Sequence, residues 1–190
     1  MDSLILQIFN IVTGVAMLLL FLRFMMQLTQ VDPYNPIVMS TVKATHIVDV
    51  FKRILPTVGH GRINLAALGL IILVRLVDLS GNLLLNDVTN IGPDRLAVEL
   101  VFGLLGGFLQ MCIYMIWASV IASIVMMLTQ NPTPLVMLVM QMTEPLYAPF
   151  RKVLPDLGPF DLSPMVAWLV ISILLKLLTK SHYFVLQGLA

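Results

Sequence analysis

The chain has 190 residues, 59% of them apolar and 11% charged, with 11 basic against 10 acidic side chains. A soluble domain is about 45–50% apolar and about 25% charged, so this composition, with a mean hydropathy of +0.97, excludes an ordinary water-soluble fold and points to an integral membrane protein. A net charge of +1 leaves no basic stripe for nucleic acid, and the one cysteine, Cys112, excludes disulfide frameworks and thiolate metal clusters.

The gaps between charges delimit the predicted elements. Residues 3–22 and 100–143 carry no charge, and a spanning helix needs about 20 mostly apolar residues. Four spans follow in chain order: about Leu4–Leu28, Leu65–Leu85, Leu96–Leu128, and Pro164–Leu178 with room for extension. The first reads as an uncleaved span, because Asp2 stands where a signal peptide carries cations. The third exceeds one bilayer crossing, so it tilts or emerges into water. Asn64 is placed to cap the second span, and Ser163 the fourth, with Pro164 at the first helical position.

Connection one (residues 29–64) holds Lys43, Lys52, Arg53 and Arg62, and connection three (129–163) holds Arg151 and Lys152. The opposite side has Arg95 and Lys180, so the positive-inside rule puts connections one and three in the cytoplasm. In connection one, Val38, Val42, Ile47, Val50, Phe51 and Ile54 form an apolar stripe, predicting an amphipathic helix in the interface plane. Lys52 and Arg53 near its C-terminal end suit the helix dipole and anionic headgroups. In connection three, residues 135–142 are almost wholly apolar, and Pro145 and Pro149 are expected to break the segment into short pieces.

The two halves read alike when shifted by about 99 residues. Phe51-Lys-Arg-Ile-Leu-Pro56 matches Phe150-Arg-Lys-Val-Leu-Pro155, Gly59 matches Gly158, and Asn64 matches Ser163. Leu28-Thr-Gln30 recurs as Leu128-Thr-Gln130, and at that register Asn10 falls on Gln110. The predicted fold is therefore an all-α membrane protein of four transmembrane helices in two parallel repeats, residues 1–90 and 91–190. Each repeat is a span, an amphipathic cytoplasmic segment and a second span. Units that cross twice share one orientation, in agreement with the charge count.

Tyr34-Asn-Pro36, with Lys52, Arg53, Pro56 and Gly59, resembles the first repeat of the YggT family of bacterial membrane proteins. Thr143-Glu144-Pro145, Pro149, Arg151, Lys152, Pro155, Gly158 and Asp161-Leu-Ser163-Pro164 resemble the family signature in its better-preserved form. Copy one departs from it, with His46 and Asp49 where copy two has prolines. The resemblance implies a multi-pass protein of the bacterial inner membrane without an established biochemical activity. Similar plastid proteins are linked to cytochrome complex maturation and to membrane-associated nucleoids, and bacterial relatives to osmotic or ionic stress tolerance.

Chemistry-bearing candidates inside the spans are few. Arg75 falls near mid-span with Asp78 at i+3, and Lys176 lies at comparable depth in the fourth span. A central charge faces a partner or a cavity, so the pair reads as an ion path or, more economically, as a structural pair. Asn10 and Gln110 are candidates for a hydrogen bond between spans one and three, and Gly103-x-x-x-Gly107 for close helix packing. His46 and His60 are separated by Pro56 and Gly59 and do not share a helix, which argues against haem. Asp161 and Ser163 read as a device that starts a helix rather than as catalysts. No hydrolase, P-loop or metalloprotease motif occurs, so the expectation is a non-enzymatic protein with no cofactor, metal or directly bound nucleic acid. Its expected partners are the lipid bilayer and other membrane proteins, and a homo-oligomer is compatible. Two functions stand: a scaffold, assembly or membrane-homeostasis factor in which Glu144, Arg151 and Lys152 face headgroups or a partner; or a small channel or transporter with Arg75, Asp78, Lys176, Asn10 and Gln110 turned inward.

Overall fold

The computed structural model describes residues 2–59, 61–86, 92–131, 133–154 and 161–188. They form α1 (Asp2–Leu28), α2 (Pro36–Ala44), α3 (Ile47–Phe51), β1 (Thr57–Val58), β2 (Ile63–Asn64), α4 (Leu65–Leu85), α5 (Pro93–Thr129), α6 (Pro134–Arg151) and α7 (Ser163–Gly188). Four of them, α1, α4, α5 and α7, are long and apolar enough to cross a membrane. Their outer faces are unshielded hydrocarbon: Leu4 is 62% exposed, Ile11 64% and Leu177 57%. Apolar surface on that scale is stable against lipid and not against water.

α1 packs along α4, α5 packs along α7 and α6, and α4 meets α5 to join the two halves. The best-buried side chains, among them Met25, Val48, Ala66, Ala67, Ile116, Leu138 and Ala167, gather where the long helices meet α2, α3 and α6. At that end of the bundle, called the elbow end below, α1 and α5 each stop on a glutamine in the left-handed region, Gln30 (φ 51°) and Gln130 (φ 53°). There Val31 N–H donates to the Met26 carbonyl (3.2 Å) and Gln130 N–H to that of Met126 (3.0 Å), satisfying carbonyls that a helix end leaves open. The next helices then start alike: Asn35 caps α2 with Pro36 behind it, and Thr133 caps α6 with Pro134 behind it. The Asn35 carboxamide also donates to the Pro134 carbonyl (2.8 Å), tying the first elbow to the second.

α4 occupies the predicted residues, and α5 is 37 residues long, about 55 Å at 1.5 Å per residue against a hydrocarbon core of about 30 Å. Four expectations need correction. The single stripe of the first elbow is two helices, broken at Thr45-His46. The Thr41 and Thr45 hydroxyls bond back to the Ile37 (2.9 Å) and Thr41 (2.6 Å) carbonyls, which weakens helix continuation there. The break turns Val38, Thr41, Thr45 and Val48 inward and leaves Ile47, Val50 and Ile54 exposed. Secondly, α6 runs unbroken through Pro145 and Pro149. These prolines lie four apart on the exposed face, and the carbonyls that lose a donor, those of Gln141 and Pro145, belong to exposed residues that water can serve. Thirdly, α7 continues past Leu178 to Gly188, because His182 packs back on α5, stacked on Phe102 at 5.0 Å. Finally, the all-α expectation lacks the short antiparallel pair β1–β2, with Thr57 opposite Asn64. Pro155, Gly158 and His60 lie outside the described residues.

Asn64 is fully buried; its side chain accepts from Ala67 N–H (3.1 Å) and donates to Gln27 Oε1 (2.7 Å). Replacing it by Ala loses a cap and strands a buried amide, so Asn64→Ala should destabilise the protein by about 1–2 kcal/mol, read as a lower thermal midpoint in detergent.

Candidate functional site

α6 carries Glu144, Tyr147 and Arg151 at i, i+3 and i+7, the spacing of one helix face. Arg151 is gripped from two sides. Its Nη1 donates to both Glu144 oxygens at 2.7 Å, while Nε and Nη2 reach Asp161 Oδ2 at 2.9 and 2.8 Å. Asp161 also accepts from Ser163 N–H through Oδ1 (2.8 Å), so the helix-start residue of α7 is fastened to the last turn of α6. Asp161 thus serves the first N–H of α7. The Arg151 guanidinium lies 5.9 Å from the centroid of the Tyr147 ring. Below it, the Ser119 hydroxyl donates to the Ile116 carbonyl (2.8 Å), leaving its oxygen to accept from the Tyr147 phenol.

These groups border a cleft of about 590 Å³ whose lining includes Ser123, Thr143, Pro164 and Met165. Burial pushes the Tyr147 phenol above its ordinary range. Burial also pulls the Asp161 carboxyl upward, but the Ser163 bonds and the Arg151 guanidinium outweigh it and hold the group below the usual carboxylate range. Two carboxylates against one guanidinium make this cluster net acidic, so Arg151 is committed to protein partners instead of standing free for a phosphate. Pro145 and Pro149 are on the exposed side of α6, and Lys152 is exposed just after it.

The first elbow handles charge differently. Arg23, only 8% exposed, reaches down from α1 to Asp49 of α3, with Nη2 2.9 Å from Oδ1, and Lys52 approaches the same oxygen at 2.8 Å. Burial raises the Asp49 carboxyl, but its bond to Lys52 and the two cations bring it below the usual range. Arg23 is not among the residues that motif or charge spacing singles out. The signal was there: an arginine inside the end of a span needs a partner, and Asp49 and Asp32 are the acids of connection one. The other candidates of this half are separate. Asn35 and Pro36 start α2, Tyr34 is 86% exposed, and Arg53 and Pro56 are exposed after α3.

Within the spans, Arg75 and Asp78 do come together, Nη1 to Oδ2 at 2.5 Å. Asp78 Oδ1 accepts further bonds from the Thr13 hydroxyl of α1 (2.8 Å) and from Asn82 (3.3 Å). Gly103 makes room for the guanidinium, since a Cβ there would stand 2.3 Å from Arg75 Nη2. The small residue therefore serves a side chain, whereas Gly107 has open space beside it instead of a packed helix. The inward expectation fails for two residues: Asn10 and Lys176 are exposed. Gln110 is half-buried, and among the described residues no hydrogen bond joins it to Asn10, because α1 and α5 barely touch.

This arrangement defines an α-helical protein with four candidate membrane-spanning helices and charged elbows at one end. The CCB3/YggT family profile matches residues 98–181, the half that holds the Glu144–Arg151–Asp161 cluster. The chain is 34% identical over 163 residues to an uncharacterised protein of Pseudomonas aeruginosa, spanning 83% of this chain and 79% of that one. It is 28% identical over 154 residues to an uncharacterised protein of Vibrio alginolyticus (80% of each chain), and 27% identical over 158 residues to the uncharacterised protein YggT of Escherichia coli K12 (83% and 79%). The chain belongs to the CCB3/YggT family. No solved structure matches it.

Two predictions follow from the charge geometry. Removing one member of a buried ion pair strands the other, so Arg75→Leu alone should cost on the order of 3 kcal/mol and the double variant Arg75→Leu/Asp78→Leu markedly less, by thermal unfolding in detergent. For Asp49 and Asp161 the folded carboxyl is held low. Their stabilisation is complete above the ordinary carboxylate value of about 3.9 and is lost only as pH falls through the lower folded values. Carboxyl-carbon NMR should show both groups titrating below the ordinary aspartate value of about 3.9.

Proposed function

We propose that this protein is a non-enzymatic scaffold or assembly factor of the bacterial inner membrane, which presents its second elbow to another membrane protein. The observation that supports it is the opposite treatment of polar groups in the two regions. Within the spans, Asp78 draws Arg75, Thr13 and Asn82 onto its own carboxylate oxygens, although Arg75 Nε keeps no partner among the described residues. At the second elbow, Glu144 and Arg151 are about half exposed at 55% and 45%, held rigid by mutual bonds beside a large cleft. A fixed and solvent-facing charge array suits specific protein docking, where complementary charge sets register and partner choice. A conduction path needs intramembrane polar groups that are free to exchange partners, and Lys176 and Asn10 face outward instead.

The chain reads as two copies of one unit in the same orientation. In support, Gln30 and Gln130 share a backbone conformation, Asn35 and Thr133 both cap a helix ahead of a proline, and Asn64 and Asp161 both accept at the start of the returning helix. Six elbow cations against two on the opposite side orient the elbows to the cytoplasm. The matched family profile on the second copy makes it the functional one in this reading.

Crosslinking in native membranes from a photoreactive residue at Val153, which is 83% exposed, tests the idea. A protein partner should be captured at near-stoichiometric yield and lost with Glu144→Lys while the protein level holds. No capture, together with Arg75-dependent ion flux in proteoliposomes of the pure protein, would establish the channel instead.

A further inference from the structure

The first elbow holds an unfilled electrostatic demand that the second lacks. A cleft of about 420 Å³ opens there, lined by Arg23, Lys52, Gln27, Gln30 and the apolar side chains Met26, Val31, Pro33, Val38 and Val42. Arg23 and Lys52 share one carboxylate, and both bind the same oxygen of Asp49. The site therefore carries a surplus positive charge. Arg23 Nε is buried with no hydrogen-bond partner among the described residues, although its side chain is only 10% exposed. A buried guanidinium with an unsatisfied N–H is costly, so a further acceptor at the accessible side of the Arg23 guanidinium is favoured.

We propose that this cleft binds a phosphate-type oxyanion. Such a group offers several acceptor oxygens at once, so it can serve the Arg23 guanidinium and the Lys52 ammonium together, and the planar guanidinium fork suits it. The position agrees with this chemistry. Arg23 lies in the last turns of α1, where a spanning helix reaches the headgroup region, and α2 with Lys52, the residue that ends α3, borders the cleft beyond it. The apolar walls would lie against the glycerol and first acyl carbons of a lipid, and they leave room equally for free phosphate. The site stands independently of the docking role assigned to the second elbow.

The test uses the full-length protein in a zwitterionic detergent, titrated separately with short-chain phosphatidylglycerol, the matching phosphatidylcholine and inorganic phosphate. Native mass spectrometry reads retained adducts and thermal unfolding reads stabilisation. Phosphatidylglycerol or phosphate, or both, should bind about tenfold or more tightly than phosphatidylcholine. Binding of phosphatidylglycerol alone assigns the site to a lipid headgroup, and equal action by inorganic phosphate assigns it to the free ion. Lys52→Gln, at a partly exposed position, should weaken binding about tenfold, and Arg23→Gln should abolish it. Lys43→Gln, which removes the same charge from the exposed face of α2, should leave binding within about twofold. Equal retention of both lipids with no effect of phosphate overturns the proposal, as does binding unchanged in Lys52→Gln.

Discussion

Hydrocarbon offers no hydrogen-bond partner, so every polar group carried into the bundle must find one inside the protein. That constraint organises the contact between the two halves. Asp78 lies on α4, the helix that joins α1 to α5, and it draws Thr13 from α1 and Arg75 from its own helix while Gly103 of α5 accommodates the guanidinium. The three helices are therefore registered along their length by one ionic network. Ridge-and-groove packing of interchangeable leucines could not do this, because lipid tails are as apolar as the side chains and give no preference for one register. The apolar contacts supply area; the polar network supplies position.

At the elbow end the same constraint relaxes gradually, and the two halves meet it with different parts. In the first, the arginine comes from the span and the acid from the elbow. In the second, the arginine is on the elbow, with one acid beside it on α6 and another ahead of α7. Both arrangements fasten the elbow helices to the long ones, but they leave opposite residual charges. The first is basic and recessed, and the second acidic and exposed. Elbows that differ in this way offer unlike surfaces to whatever meets them.

Spans were legible where the boundary was chemical. α4 was readable from Asn64 to Leu85 because a cap and a charge-poor apolar run coincide there. The end of α7 was not, since Lys176, Lys180 and His182 look like the edge of a span, while His182 is retained by stacking on Phe102 and lying 3.4 Å from Glu99, a tertiary contact with no local signature. The prolines of α6 misled for a related reason. A proline removes one donor, and whether that breaks a helix depends on which side faces water, which spacing alone left open. Glu144, Arg151 and Asp161 were all singled out by motif, yet their convergence on one guanidinium was not visible in a list of residues. Arg23 has no signature in the charge-free runs, because it stands one position beyond the first of them.

The tie between Asn35 and the Pro134 carbonyl bears on how the elbows communicate. Asn35 is the cap of α2, and Pro134 is the first residue of α6, so a displacement of one elbow helix pulls on the start of the other. Between them, Arg62 and Gln30 of the first half face Glu144 and Met140 of the second across a shared cleft of about 660 Å³. A ligand that orders α2 and α3 through Arg23 and Lys52 would thus also restrain the N-terminal end of α6, whose far end carries Arg151. Coupling of this kind needs no moving span: it needs only that ordering one elbow lowers the entropy cost of ordering the next.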